Sequence, residues 1–313
     1  MKRDEPKLLS VVMPAHNEAA GIANSLDVLS NTLDSCGMEW EIIVIDDGSS
    51  DETFHKLREL AQSVSRIKGI QLSRNFGKEA ALLAGLRAAN GCVVVTIDAD
   101  LQHPPQLIPQ MIDAWQNGAK VVDAVKSSRE NDGAFARARA RFFNAMLSKL
   151  GGINLQNASD YKLLDRTIVD TIARDLPESQ RFYRGLSDWV GYDHVTIPFD
   201  VEERVEGDSK WTLWKLIELA TTAIVSFTSA PLRIVTIMGM ITMLFGFFVA
   251  IEALIGWFRG EAVSGFTTTI ITLLILGSFI MISLGIIGEY IAKIYDEVKS
   301  RPPYLIESTI GIG

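Results

Sequence analysis

Cysteine is nearly absent from this chain. Cys36 and Cys92 are the only two in 313 residues; they form no CxxC pair and read as buried thiols of a reducing compartment. The four histidines, His16, His55, His103 and His194, show no metal-ligand spacing to one another; His103 reads as a loop residue and the others as surface residues. No GxSxG and no Cys–His pattern is present, which removes the usual signals of covalent catalysis. The GxxxxGK[ST] spacing of a P-loop is missing as well. Positive charge is in short supply: 30 Lys and Arg stand against 38 Asp and Glu, a formal charge of −8, which argues against a nucleic-acid binder. Anionic substrates stay open, because local clusters and metal ions override net charge. The opening "MKR" followed by "LLSVVMPA" lacks a signal peptide's long apolar region and contains Pro14, so it reads as a first strand.

Charge of either sign is missing from residues 234–251 and 262–288. Each stretch is of the order of the ~20 apolar residues that cross a bilayer. Separated by a short loop, they predict two transmembrane helices at about 232–258 and 264–290, a hairpin with both ends on one side; a buried helix pair is the alternative. Lys210, Lys215 and Arg233 precede the first, and Lys293, Lys299 and Arg301 follow the second. The positive-inside rule then places the N-terminal domain and the C-terminal tail in the cytoplasm. Glu252 marks the far end of the first span or an inter-helix contact, and Glu289 the interface. Across 210–230, Lys215, Glu218, Thr222, Ser226 and Ser229 recur every three or four residues, with Trp211 and Trp214 among the apolar positions. That pattern predicts an amphipathic helix lying in the membrane interface, with a third buried helix as the alternative. The chain thus divides into 1–209, 210–230 and 231–313.

In the first part, apolar runs of strand length alternate with helix-period segments. "LLSVVMP", "EIIVID", "GIQLS", "CVVVTID" and "KVVDAV" predict strands; helices are expected at about 18–35, 51–65, 77–89, after Pro104 and Pro105, and at about 134–150. This rhythm predicts an α/β domain with a mostly parallel sheet covered by helices. Ligands of such sheets bind beyond the carboxyl ends of the strands. There the sequence supplies "PAHNE", "DDGSSDE", "SRNFGKE" and "DADLQ" in turn. Taken singly, Asn17 reads as a helix cap and Ser49 with Glu52 as a capping box, whereas Arg74 and Lys78 bracket a glycine near a helix start, where anions bind. Together they predict one site. Asp98 and Asp100, two apart on an extended segment, point to one side and would repel unless a hard cation such as Mg2+ or Mn2+ sat between them.

The motifs "VVMPAHNE", "VIDDGSSD", "SRNFGKEAAL", "IDADLQHPP", "SDYKLLDR", "RFYRGL", "EGDSKW" and "GEYIAKIYDEVKSRPPY" resemble, in order and spacing, a family 2 glycosyltransferase with the Rossmann-like A-type fold. The resemblance spans nearly the whole chain and is strongest to bacterial polyisoprenyl-phosphate glycosyltransferases of the bactoprenol glucosyl transferase kind; dolichol-phosphate mannose synthases are more distant. It implies inverting transfer of one sugar, glucose first, from a UDP-sugar to undecaprenyl phosphate at the cytoplasmic face of a bacterial inner membrane, supplying cell-surface glycan such as O-antigen. Another sugar (a modified arabinose, N-acetylglucosamine or mannose) is the first alternative, and an inactive membrane-tethered nucleotide-sugar sensor the second. The resemblance also implies roles: Pro14, Ala15, Asn17, Glu18, Asp46, Asp47, Lys78 and Asp98 toward the nucleotide sugar; Asp98, Asp100 and Gln102 toward Mg2+ or Mn2+; Asp160 at the reaction centre; and Lys126, Arg129, Arg141, Arg204 and Lys210 toward the acceptor phosphate. Two-span relatives imply a homo-oligomer, up to a tetramer. The QxxRW motif of processive synthases is absent: Gln180 and Arg184 stand in "QRFYRG" with no Trp after them. Single-sugar transfer fits that departure better than polymer extrusion.

Overall fold

The computed structural model of the chain describes residues 8–126, 160–176, 178, 181–199, 228–260 and 265–312, with the backbone alone at Lys126 and residues 266–268. The helix expected at about 134–150, the expected amphipathic segment up to residue 227, and Arg129, Arg141, Arg204 and Lys210 lie outside the described residues. So does the side chain of Lys126.

Two units divide the chain: residues 1–210 with 301–313, and residues 211–300. The first holds an eight-stranded sheet, in the order β7-β5-β6-β4-β1-β2-β3-β8. Its strands are β1 (Leu9–Ala15), β2 (Trp40–Asp46), β3 (Ile67–Leu72), β4 (Val93–Thr96), β5 (Val121–Lys126), β6 (Lys162–Asp165), β7 (His194–Phe199) and β8 (Ile306–Ile310). β4, β1, β2 and β3 run parallel, as do β5 and β7, while β6 and β8 run antiparallel to their neighbours.

Side chains alternate between the two faces of each strand. Val11 and Met13 therefore join one buried cluster and Val12 the other; Ile42 and Val44 join the first, Ile43 and Ile45 the second. α1 (Ile22–Asp34), α2 (Thr53–Ser63) and α4 (Ile108–Gln116) cover the first face with residues such as Leu26, Leu57 and Met111. α3 (Lys78–Ala88) and the short α5 (Arg166–Asp170) cover the second with Leu82, Leu86 and Ile168. Each large apolar side chain so buried stabilises the fold by about 1.5–3 kcal/mol. Pro105 opens a 3-10 turn, and α4 follows at Ile108. A π-helical turn (Thr171–Asp175) and α6 (Tyr183–Trp189) complete the described helices of this unit.

The segment expected as a C-terminal tail carries a strand. Residues 301–313 belong with the sheet, not with the helix pair: β8 pairs with β3, Ser73 donates its N–H to the Leu305 carbonyl at 2.9 Å, and Tyr304 and Ile310 pack against the second and first clusters.

The second unit contains α7 (Ala230–Phe258) and α8 (Phe266–Val298), which pack on each other. Both are long and apolar enough to cross a membrane, with mean hydropathy of 2.4 and 2.7 over their best windows. At 1.5 Å per residue each exceeds the ~30 Å hydrocarbon layer. α8 runs past the expected end near 290, because "EYIAKIYDEV" keeps strong helix formers with Glu289 and Lys293, then Lys293 and Glu297, four apart. Tyr290 donates its hydroxyl to the Thr228 carbonyl at 2.7 Å.

Candidate active site

The carboxyl ends of β1 and β2 are in register, Ala15 beside Asp46, and Asp46 in turn lies beside Gln71 of β3. Their loops therefore start side by side and bond to one another. Asn17 takes the left-handed conformation (φ 57°) that Asn tolerates. It is not a helix cap: its Oδ1 accepts from Ser50 N–H at 2.9 Å, and its own N–H donates to Ser49 Oγ. The expected Ser49–Glu52 capping box is likewise absent. Asp51 accepts from Thr53 N–H and reaches across to Ala19 N–H.

His16 ties three loops together. Its Nε2 accepts from the side-chain amides of Asn17 (3.1 Å) and Asn75 (3.2 Å), so Nδ1 carries the proton and donates to the Asp47 carbonyl (2.9 Å). Asp47 Oδ1 and Oδ2 accept the N–H groups of Phe76 and Gly77 at 2.8 and 2.9 Å. Gly48 touches the same loop: a Cβ on it would lie 2.2 Å from the Arg74 carbonyl carbon.

These loops enclose a cleft of about 330 Å³. Pro14, Ala15, His16 and Glu18 line it after β1, Asp47 after β2, Asn75, Gly77 and Lys78 after β3, and Asp98, Ala99 and Asp100 after β4. Asp46 is not among the lining residues. It is buried at the end of β2, with Oδ1 accepting from Ser49 N–H, and burial pushes its carboxyl up.

Asp98 and Asp100 do not lie on an extended segment as expected. Asp98 lies in the irregular segment just after β4 and Asp100 in a turn, with Leu101 left-handed (φ 56°) and Asp100 Oδ1 accepting the Gln102 N–H at 3.0 Å. Asp98 is paired with Lys78 at 2.6 Å. Lys78 also donates to Asp160 at 2.7 Å, and Arg184 meets both Asp160 oxygens at 2.7 and 2.8 Å. A row of alternating charge results: Asp98, Lys78, Asp160, Arg184. Burial works against the charged form of Asp160, but Arg184 and then Lys78 outweigh it and hold the carboxyl well below the usual range. Its backbone is fixed too. Thr96 Oγ1 donates to the Asp160 carbonyl at 2.6 Å and so accepts from the Tyr183 hydroxyl at 3.0 Å. Glu79 accepts the Tyr183 N–H at 2.8 Å; burial pushes its carboxyl up to about 7.

The lining fits a divalent cation. Four carboxylates (Glu18, Asp47, Asp98, Asp100) face the cleft against one lysine. Glu18 is pushed up by burial first and then by the charges of Asp100, Asp51 and Asp98. A diphosphate entering this negative cleft needs a cation between itself and the carboxylates. Among the described residues no three His, Cys, Asp or Glu side chains form a ready-made cage, so ligand oxygens must complete the shell.

Sequence reading alone gathers Pro14, Ala15, Glu18, Asp47, Lys78, Asp98 and Asp100, which the fold brings into one cleft. It overlooks His16 and Asn75, although both stand inside quoted motifs, and it misses Arg184 as the partner of Asp160 and Glu79 as the acceptor of the Tyr183 N–H. His194 is no surface residue: half-buried at the start of β7, it meets Asp123, which also pairs with the buried Lys162 at 2.7 Å.

A mostly parallel sheet whose four adjacent strand ends build an acidic cleft beside an ion-paired aspartate is the architecture of an A-type glycosyltransferase domain. The glycosyl transferase family 2 model matches residues 10–173, and the chain belongs to that family. It is 39% identical over 306 residues to an uncharacterised glycosyltransferase of Synechocystis, covering 97% of this chain and 96% of that one. It is 37% identical over 306 residues to the bactoprenol glucosyl transferase of Shigella phage SfII, covering 96% and 98%. Among solved structures, glucosyl-3-phosphoglycerate synthase of Mycobacterium tuberculosis with UDP shares the fold, with a TM-score of 0.51 and 24% identity over 71% of this chain and 79% of that one.

Proposed function

We propose that this enzyme transfers one glucosyl group from UDP-glucose to a polyisoprenyl phosphate, of which undecaprenyl phosphate is the bacterial form. The observation that carries the proposal is the end-to-end similarity to bactoprenol glucosyl transferases, which takes in the two apolar helices as well as the catalytic domain. Pro14, Ala15 and Glu18 would contact the nucleoside, with Asn17, Asp46 and Asp47 shaping its loops. Asp98, Asp100 and Gln102 would hold Mg2+ or Mn2+, which neutralises charge on the departing diphosphate.

The nucleophile needs little help. A phosphate monoester has a second pKa of about 6, so near neutrality the acceptor is largely the dianion. Its oxygen attacks the anomeric carbon, and the bond to the diphosphate breaks with its electron pair leaving on UDP. One displacement inverts the configuration. Asp160, ionised between two cations, is too weak a base to take a proton and acts by positioning.

The helix pair would be a membrane hairpin with the catalytic domain cytoplasmic. The pairing of β8 with β3 supports that reading: residues before and after the helices share one sheet, so the chain crosses an even number of times. The lysines and arginines flanking the helices supply the direction. Association through these helices into a homo-oligomer belongs to the same proposal; its check is the mass of the purified protein in detergent, and a monomeric mass would overturn it.

Purified protein with UDP-glucose, undecaprenyl phosphate and Mg2+ is expected to yield a glucosyl lipid by mass spectrometry. EDTA should stop the reaction and Mg2+ or Mn2+ restore it. No lipid product with any UDP-sugar would sink the transferase reading; product with another UDP-sugar alone would replace glucose. A tag in loop 259–265 should be reached only from outside intact cells, and labelling from the cytoplasm would reverse the topology.

A further inference from the structure

The row of charges has two ends that differ. Asp98 and Lys78 line the cleft; Asp160 and Arg184 do not. Asp160 is a buried link, its side chain 12% exposed, whereas the Arg184 side chain is 44% exposed. Arg184 spends Nε and Nη2 on Asp160, and its remaining N–H groups have no partner among the described residues. A guanidinium carries five N–H donors in a rigid fork, so one edge can stay on a carboxylate while another meets a second anion.

Lys78 cannot serve a second anion in the same way, since it is already held between Asp98 and Asp160. Arg184 is therefore the cation of this row that is both fixed in direction and open to a ligand.

Its fixing is elaborate for a surface arginine. Arg184 is the second residue of α6, and the first, Tyr183, is anchored at both ends: its N–H on Glu79 and its hydroxyl on Thr96. Thr96 in turn holds the Asp160 carbonyl. Guanidinium and carboxylate are thus referenced to the same strand end. A surface ion pair of ordinary kind needs no such frame and is worth about 0–1 kcal/mol.

We infer that Arg184 binds the phosphate of the acceptor while staying anchored on Asp160, and that Asp160 is the positioning residue that aims it. The inference rests on the transferase reading above and adds the acceptor site that reading leaves open. It explains why the reaction centre keeps an aspartate that is no base: the carboxylate orients a cation that draws one anion toward the end of the row opposite the diphosphate cleft. Glu79 serves by holding the N-terminus of α6.

The test uses the full-length enzyme in detergent with undecaprenyl phosphate. Arg184→Gln is expected to raise the acceptor KM at least about tenfold, the loss of a charge-assisted bidentate contact, with UDP affinity by calorimetry within about threefold of wild type. Arg184→Lys, which keeps the charge and loses the fork, should fall between the two. Retained UDP binding shows that the fold survives, and a fall in kcat with no change in acceptor KM would mark a purely structural role. That outcome overturns the inference, as does an unchanged acceptor KM in both variants, or UDP affinity lost in parallel with acceptor affinity. Wild-type enzyme that makes no lipid-linked sugar overturns the underlying reading instead, and the two failures are told apart by the wild-type control.

Discussion

Replacing Asp160 by Asn is expected to slow sugar transfer by about a hundredfold while leaving UDP affinity within about threefold. The substitution preserves shape and removes charge. Lys78 and both donating nitrogens of Arg184 now meet a carboxylate; an amide offers one acceptor oxygen and turns its NH2 toward a donor. Each charge-assisted hydrogen bond contributes about 1.5–3 kcal/mol, and leaving its partner unpaired costs more than the mean. Lys78 would keep Asp98, so the cleft side of the row survives, while Arg184 would lose its aim. The readouts are glucosyl-lipid formation by mass spectrometry and UDP binding by calorimetry. Wild-type turnover would remove Asp160 from the centre, and lost UDP binding would move it into the donor site. The pH dependence follows the same logic. The folded carboxyl titrates well below the unfolded value of about 3.9. The stability contributed by this pairing is therefore present above about pH 4 and is lost only as pH falls through the depressed folded value. No limb of the activity profile between pH 5 and 9 should belong to Asp160.

The second large effect is expected at Gly48. Gly48→Ala should weaken UDP binding at least about thirtyfold and destabilise the protein by about 2–4 kcal/mol. The backbone there is left-handed (φ +60°), and an added Cβ would sit 2.2 Å from the Arg74 carbonyl carbon, 2.5 Å from Asn75 N and 2.6 Å from the Arg74 Cα. These are backbone atoms that cannot rotate aside. The two loops must part, which breaks the Asp47 bonds to Phe76 and Gly77 and shifts Asn75 and Lys78 in the cleft wall. Gly37 provides the control: its backbone is also left-handed (φ +67°), and a Cβ there meets nothing within 4 Å. Gly37→Ala should cost only the ~1–2 kcal/mol of an alanine in that conformation and spare UDP affinity. Equal losses of UDP affinity in the two variants would refute the steric account.

Much of the first unit is legible in the sequence because its physics is local. "VVMPA", "IIVID" and "VVVT" are short runs, mostly apolar and almost wholly buried on both faces, and helices begin where turn residues stop them. The clustering of polar strand ends is legible as well, since parallel strands force their carboxyl ends to one edge. What escapes reading is the choice of partner. Asp98 and Asp100 look like a matched pair in "DADLQ", yet a left-handed Leu101 turns the chain and Asp98 goes to Lys78. Arg184 reads as the remnant of an unmatched motif, and only the sheet brings it 24 residues back to Asp160. "IESTI" is too short and too mixed to be told from a tail. Its strand character comes from the open edge of β3, which lies 237 residues away at the Ser308–Gln71 contact.

That last pairing sets an order of events in time. β3 is made early, but the strand that closes its edge is synthesised only after both apolar helices. Until then the amide of Ser73, which opens the loop carrying Asn75, Gly77 and Lys78, has no carbonyl from Leu305 to meet. Pairing over so long a separation is slow to form. The loop that walls the cleft is thus tied down by a segment whose synthesis follows the two apolar helices.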